Sequence, residues 1–179
     1  MAKRFAMTSL NGPGFVELAA GPRYPARMHP SIGQLWASYR AVNADAPVEP
    51  PAAFHFCDNR QDADLCLALV LMGAKRATAS SLAELRLAGV PTPQPGEFSI
   101  VTDWAGEARA IIRTCSVEIT RFSEVDEEFA RAEGEGDGTL AWWREAHRAY
   151  YERVLAGSGH LVDDDLEIAC ERFKLVFPL

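Results

Sequence analysis

The sequence has no apolar run that approaches the roughly 20 residues needed to cross a bilayer. Its first ten residues carry Lys3 and Arg4 but lack the apolar stretch of roughly 7–15 residues that a secretory signal needs. A cytoplasmic protein with no membrane partner is therefore expected. Cysteine is scarce. The four that occur, Cys57, Cys66, Cys115 and Cys170, include no C-x-x-C pair. Neither they nor His29, His55, His147 and His160 show the spacing of zinc ligands, so the thiols read as reduced and packed like small apolar groups. Basic charge is also in deficit, with 18 Lys and Arg against 25 Asp and Glu for a net charge of −7. A chain that binds by neutralising many phosphates carries a basic surface. This balance suits a small ligand, or nucleic acid touched locally.

The chain has 179 residues and is 48% hydrophobic, which suits one globular domain with room for an appendage. Phe15 to Leu18 reads as a possible short strand. Ile32, Leu35, Trp36, Tyr39 and Val42 recur at helical spacing after Pro30-Ser31, with Ser31 as the expected N-cap. Pro47, Pro50 and Pro51 break this helix. That gives an extension over 1–51 with one helix, and a main domain over 52–179. Phe54 to Cys57 is β-like. Asp62 is expected to cap a helix with the apolar face Leu65, Ala68, Leu69 and Met72, and Gly73 suits the left-handed position just past its end.

Arg76 to Ser80 reads as extended, Leu82 to Ala88 as a short helix, and Pro91, Pro93 and Pro95 as a stiff loop. Phe98 to Trp104 and Ala108 to Phe122 read as strands about an Ala105-Gly106 turn, with Ile111, Ile112, Val117 and Ile119 as core candidates. Ser123 is expected to cap a helix to about Glu133, and Thr139 a second one from Leu140 to Leu155. Leu166 to Phe177 reads as the closing strand. Helices and strands do not alternate as βαβ units, which argues an α+β fold around a small mixed barrel.

Two segments carry the chemistry. In Gly73-Ala74-Lys75-Arg76-Ala77-Thr78-Ala79-Ser80, a lysine and a threonine at a helix-to-strand bend can point into one pocket. In Glu133-Gly134-Glu135-Gly136-Asp137-Gly138, three acids alternate with three glycines, which makes a poor helix and a poor strand. The reading of function depends on these segments meeting in space. On spacing alone, a Lys75 salt-bridged to Glu133 for structural reasons is the more economical reading.

Gly73, Lys75 and Thr78 match the G-x-K-x-x-[T/E] motif of the ASCH domain family, which the chain resembles over about residues 32 to 179. Phe56-Cys57-Asp58, Ala63-Asp64, Pro95-Gly96-Glu97, Val101-Thr102-Asp103-Trp104, Glu133 to Asp137 and Trp143-Arg144 with His147 extend the match to one branch of that family. The resemblance implies a PUA-like small mixed β-barrel flanked by helices. It also implies binding of a nucleoside, a nucleotide or single-stranded RNA. Members of the family differ: one branch hydrolyses the amide of N4-acetylcytidine, some members cleave RNA, and some are RNA-binding modules without catalysis.

For the amidohydrolase type, the resemblance implies Lys75, Thr78 and Glu133 as catalytic residues, with Glu135 an alternative register for the glutamate. In that scheme burial lowers the Lys75 pKa, the lysine takes the Thr78 proton, and the glutamate passes a proton to the leaving amine. Candidate ligand contacts are the backbone at Gly73, Arg76 on phosphate (with Arg86 and Arg113), the hydroxyls of Ser80 and Ser81, and Trp104 beside Asp103 for base stacking. Glu135, Asp137, Arg144 and His147 complete the set. No cofactor is expected. The acidic loop lacks the regular spacing of a calcium site, so a divalent metal is the lesser alternative. Monomer and homodimer both stay open.

Overall fold

The computed structural model describes residues 29–178, so the expected Phe15–Leu18 strand lies outside the described residues. The elements run α1 (Pro30–Val42), β1 (Ala53–Phe54), α2 (Arg60–Leu71), β2 (Ala77–Ser81), α3 (Leu82–Leu87), β3 (Phe98–Thr102), β4 (Ala108–Arg121), α4 (Glu127–Glu133), α5 (Leu140–Val154) and β5 (Glu167–Phe177). The strands form one mixed sheet in the order β1-β3-β4-β5-β2. Only β1 and β3 pair in parallel. This is the expected α+β architecture. Among the described residues β1 and β2 are the sheet edges, and α2 is the connection between them. No helix of the described residues is long and apolar enough to cross a membrane.

Each face of the sheet is covered by different helices. On one face, α2 packs Cys66, Leu67 and Val70 against Phe54, Phe56, Val101, Ala110, Ile112 and Phe173. On the other, α1 covers one end through Ile32, Trp36 and Tyr39 against Ile100, Ala108 and Ile111. Phe129, Trp143, Tyr151 and Leu155 of α4, α5 and the residue after α5 cover the other end, against Ala77, Ala79, Ile168 and Cys170. Period-2 alternation along β2 and β5 produces this split, sending Ala77 and Ala79 to one side and Thr78 and Ser80 to the other.

Several local expectations shift by a turn. The N-cap of α2 is Asn59, whose Oδ1 accepts from the Asp62 amide at 3.0 Å. Asp62 sits in the first turn, where its carboxylate suits the positive end of the helix. The buried face accordingly holds Ala63, Cys66, Leu67 and Val70, while Leu65 is 53% and Met72 71% exposed. Residues 65–72 are apolar on every side, so periodicity could not select the face; the phenylalanines of the sheet do.

In α1, Pro30 occupies the first turn and His29 is the cap. The Ser31 hydroxyl is engaged elsewhere, accepting from the Ala108 amide at 2.8 Å and tying α1 to the start of β4. Val42 is exposed. Past Thr114, β4 leaves the core, so Val117 is half-buried and Ile119 is 45% exposed instead of buried. Asp126, not Ser123, caps α4 after a 3-10 turn over Phe122–Glu124. Thr139 caps α5 as expected.

Trp36 anchors α1. It is 2% exposed, stacks at 5.3 Å on Tyr39, meets Phe98 edge-on at 5.6 Å, and donates its Nε1 proton to the Pro47 carbonyl at 3.2 Å. Replacing a core tryptophan by alanine costs about 3–5 kcal/mol. Trp36→Ala is expected to lower the stability measured by urea denaturation by that amount.

Candidate functional site

The lysine segment and the acidic loop meet at edge strand β2. Gly73 adopts φ +72°, ending α2 in the left-handed conformation expected of it. The chain then turns inward, and the Arg76 amide donates to the Ala132 carbonyl at 2.7 Å. Gly134 is left-handed at φ +68°, and a Cβ built there would stand 2.7 Å from the Ala74 carbonyl oxygen. Only glycine meets both demands. One residue pair further on, a Cβ on Gly136 would lie 2.2 Å from the Trp142 ring. The loop is thus held between residues 74–75 and the indole of Trp142.

Lys75 is 2% exposed. Its ammonium pairs with Glu135 Oε1 in a short charged hydrogen bond, lies 3.9 Å from Glu133 Oε1, and sits 5.1 Å from the centre of the Phe56 ring. Glu133 is 1% exposed. Its Oε2 accepts from Trp143 Nε1 at 2.7 Å and from His147 Nε2 at 3.1 Å. Glu133 Oε1 has no hydrogen-bond partner. The other His147 nitrogen, Nδ1, lies 3.0 Å from the Trp143 carbonyl, and the imidazole stacks on that indole at 4.1 Å.

A carbonyl and a carboxylate can only accept, so the doubly protonated imidazolium is the form of His147 that satisfies both contacts. In that form, the centre holds two cations, Lys75 and His147, against two anions, Glu133 and Glu135. A buried charge needs such pairing.

The titration of the centre follows from this balance. Burial pushes the Lys75 pKa down, but Glu133 and Glu135 outweigh it and raise the value above the ordinary lysine range. Burial pushes the Glu133 carboxyl up, and Lys75 and then His147 pull it down to about 2. Burial depresses His147, and Glu133 more than restores it, so His147 also stands above its ordinary value. The expectation that desolvation would make Lys75 a free base at neutral pH is corrected. Two neighbouring carboxylates keep it charged.

Both candidate glutamates face Lys75, so the two registers left open in the sequence are both occupied. Thr78 is half-buried on β2, opposite Glu171 of β5. It shares the sheet face of Phe173, which stacks on Phe56 beneath the ammonium. Ser80 is buried further along the same face. Ser81 has a structural task, capping α3 by accepting from the Glu84 amide at 3.1 Å. The Arg76 side chain is exposed. Asp137 accepts from the amide and hydroxyl of Thr139 ahead of α5. Arg144 donates to the carbonyls of Ser123 and Val125, bridging α5 to the turn before α4.

Asp103 pairs with Arg109, and Trp104 lies 4.7 Å from the His55 ring while its amide donates to Asp64. The contacts of that turn, to Arg109, His55 and Asp64, do not include Lys75, Glu133 or Glu135. A groove of about 730 Å³ lined by Trp36, Pro47, Val90, Pro91 and Phe98 also stands apart from it. Among the described residues no cluster of His, Cys, Asp and Glu is arranged to hold a metal.

Three contributors escaped the sequence reading. Phe56 supplies the ring beneath Lys75. Trp142 covers Gly136. Cys66 donates its thiol proton to Glu135 Oε1 at 3.4 Å and lies 3.6 Å from Cys57 Sγ. For the other side of the centre, the family resemblance had already named Trp143 and His147.

A mixed sheet with helices on both faces, and a buried lysine held by a glycine-rich acidic loop at its edge, defines an α+β domain with one ionised centre. The ASCH domain family model matches residues 52–177, and the chain belongs to this family. It is similar to an ASCH domain from Lactobacillus crispatus JV V101, with 33% identity and a TM-score of 0.74 over 84% of this chain and 96% of that one. It is also similar to protein EF3133 from Enterococcus faecalis V583, with 29% identity and a TM-score of 0.74 over 82% and 88% of the two chains. None of the curated proteins compared with it matches.

Two predictions follow from the centre. Gly134→Ala adds a clash with the Ala74 carbonyl to a left-handed φ, and such strain costs of order 1–3 kcal/mol. The measured melting temperature is expected to fall, whereas Gly138→Ala, with open space around its Cβ, should fall less.

The second prediction concerns pH. A raised His147 pKa contributes stability that is fully present below the ordinary histidine value and lost as pH rises through the folded value. A depressed Glu133 contributes stability present above 4.5 and lost as pH falls towards about 2. By NMR, His147 should titrate above 6.5, and below it in Glu133→Gln, where burial acts without its main counter-charge. An unchanged His147 titration in that variant would contradict the pairing.

Proposed function

We propose that this chain binds a nucleobase-containing ligand, a nucleoside, a nucleotide or single-stranded RNA, at the Lys75 centre, and that it is a hydrolase of the N4-acetylcytidine amide type. The observation that carries the reading is the buried Lys75 ammonium, set between Glu133 and Glu135, with Glu133 Oε1 beside it making no hydrogen bond. A fixed ammonium in a water-poor site is suited to an oxyanion, where preorganised charge contributes most to catalysis. The net charge of −7 fits a small ligand better than a long phosphate track.

The division of labour differs from a lysine-base scheme. Lys75 is already protonated and stays so, stabilising the oxyanion as charge develops. Thr78 Oγ attacks the acetyl carbonyl and its proton passes to a carboxylate. Glu135 suits that task better than Glu133, because it is the more exposed of the two. Glu133 is held low by its two cations and orients Lys75. Collapse of the tetrahedral intermediate expels the cytidine amine, which takes the proton from the carboxylate. Water then cleaves the acyl-threonine, giving acetate and restoring Thr78. The elevated Lys75 pKa also favours a second reading, a binding domain without turnover, in which the ammonium serves recognition alone.

Incubation with N4-acetylcytidine, followed by absorbance and acetate release, tests the proposal. Turnover is expected in the native chain and in Thr78→Ser, and its loss in Thr78→Val with ligand binding retained. Binding without acetate release selects the second reading. Neither binding nor release of this nucleoside, with single-stranded RNA also unbound, would overturn both.

A further inference from the structure

The two thiols beside the centre have no place in the chemistry above. Cys57 Sγ lies 3.6 Å from Cys66 Sγ, a short closing movement from the roughly 2.0 Å of a disulfide. Cys57 is also the one non-glycine residue of the described chain with positive φ, at +61°. Glycine or asparagine normally fills such a position. Here the left-handed turn between β1 and α2 holds a cysteine against the α2 thiol. The turn is fixed from the other side, where Arg153 of α5 donates to both carboxylate oxygens of Asp58, at 3.0 and 3.2 Å. Cys57 is half-buried and Cys66 buried, so an oxidant reaches Cys57 first. Cys66 in turn donates to Glu135 Oε1, the same oxygen that pairs with Lys75.

We propose that Cys57 and Cys66 form an oxidisable dithiol whose closure to a disulfide releases Glu135 from Cys66 and resets its pairing with Lys75. With a peroxide as oxidant, the Cys57 sulfur takes one peroxide oxygen, giving a sulfenic acid and an alcohol, or water when the peroxide is hydrogen peroxide. Cys66 Sγ then attacks the Cys57 sulfur as its proton passes to Glu135 Oε1, 3.4 Å away. The S–S bond forms and the departing hydroxide takes that proton from Glu135 and leaves as water, so the carboxylate is restored. In sum, two thiols lose two protons and two electrons to the peroxide. The bond consumes the only proton Cys66 could donate to Glu135 and draws its sulfur towards Cys57. Cys115, exposed on β4, and Cys170, buried in the opposite layer, take no part. The formation of the disulfide stands on geometry alone; its effect on activity rests on the reading of the Lys75 centre given above.

The test uses the full chain with Cys115→Ser, which removes intermolecular crosslinks, treated with hydrogen peroxide. Peptide mapping without reductant should yield a linked Cys57–Cys66 pair. Alkylation of both cysteines after unfolding should fall to background while Cys170 stays alkylatable. The backbone amide signals of Gly134, Glu135 and Gly136 should shift, and dithiothreitol should reverse every change. Cys57→Ser should abolish the link and the shifts together. A Cys57 that ends as a sulfenic or sulfinic acid beside an alkylatable Cys66 would overturn the proposal. So would a linked pair with unmoved loop signals. Neither readout uses a ligand, so failure of the hydrolase reading leaves both in force.

Discussion

The ammonium of Lys75 can be buried because two carboxylates reach it from a loop about 60 residues later. An unpaired charge at that depth would cost several kcal/mol, and removing one partner of a buried pair typically costs about 3–5 kcal/mol. The neighbouring structure serves that one requirement. The left-handed Gly73 turns the chain inward. Gly134 lets the loop backbone touch Ala74. Trp142 closes over Gly136, and Trp143 with His147 holds Glu133 from the far side. The same pairing that makes the burial possible keeps Lys75 charged, which is the state the proposed chemistry uses.

The centre sits where the two layers of the fold join. Phe56 and Cys66 belong to the α2 layer, whereas Glu133, Trp143 and His147 belong to the α4–α5 layer. Lys75 bridges them at the free edge of β2, and the Arg76 amide and carbonyl extend the join to Ala132 and Phe173. A ligand that displaced Glu135 from Lys75 would touch both layers, and so would a bond between the two thiols of the β1–α2 turn and α2. The ion pair is thus a shared point for the proposed recognition, the proposed catalysis and the proposed response to oxidation.

Much of this was legible in the sequence, and the parts that were not have physical reasons. The encounter of the lysine segment with the acidic loop was readable, because three glycines between three acids serve little purpose except close backbone approach. The extent of α3 and the Thr139 cap of α5 were readable. The buried face of α2 was not, since its apolar residues surround the helix and tertiary partners choose among them. Ser31 was expected as a cap but found a strand amide 77 residues away, whereas Ser81, expected as a ligand contact, caps α3. The charge state of Lys75 was misread because burial and ion pairing act in opposite directions on a lysine, and only the count of nearby carboxylates decides between them. Cys66 gave no signal at all, since its relation to Glu135 exists only in three dimensions.

The most direct measurement is the protonation state of Lys75 itself, read from the nitrogen-15 shift of its Nζ by NMR as pH is raised. The account requires Lys75 to remain an ammonium past the roughly 10.4 at which an ordinary lysine titrates, and to lose that elevation when Glu133 or Glu135 is replaced by glutamine. A Lys75 that deprotonates near neutral pH in the native protein would contradict the paired centre and restore the lysine as a base.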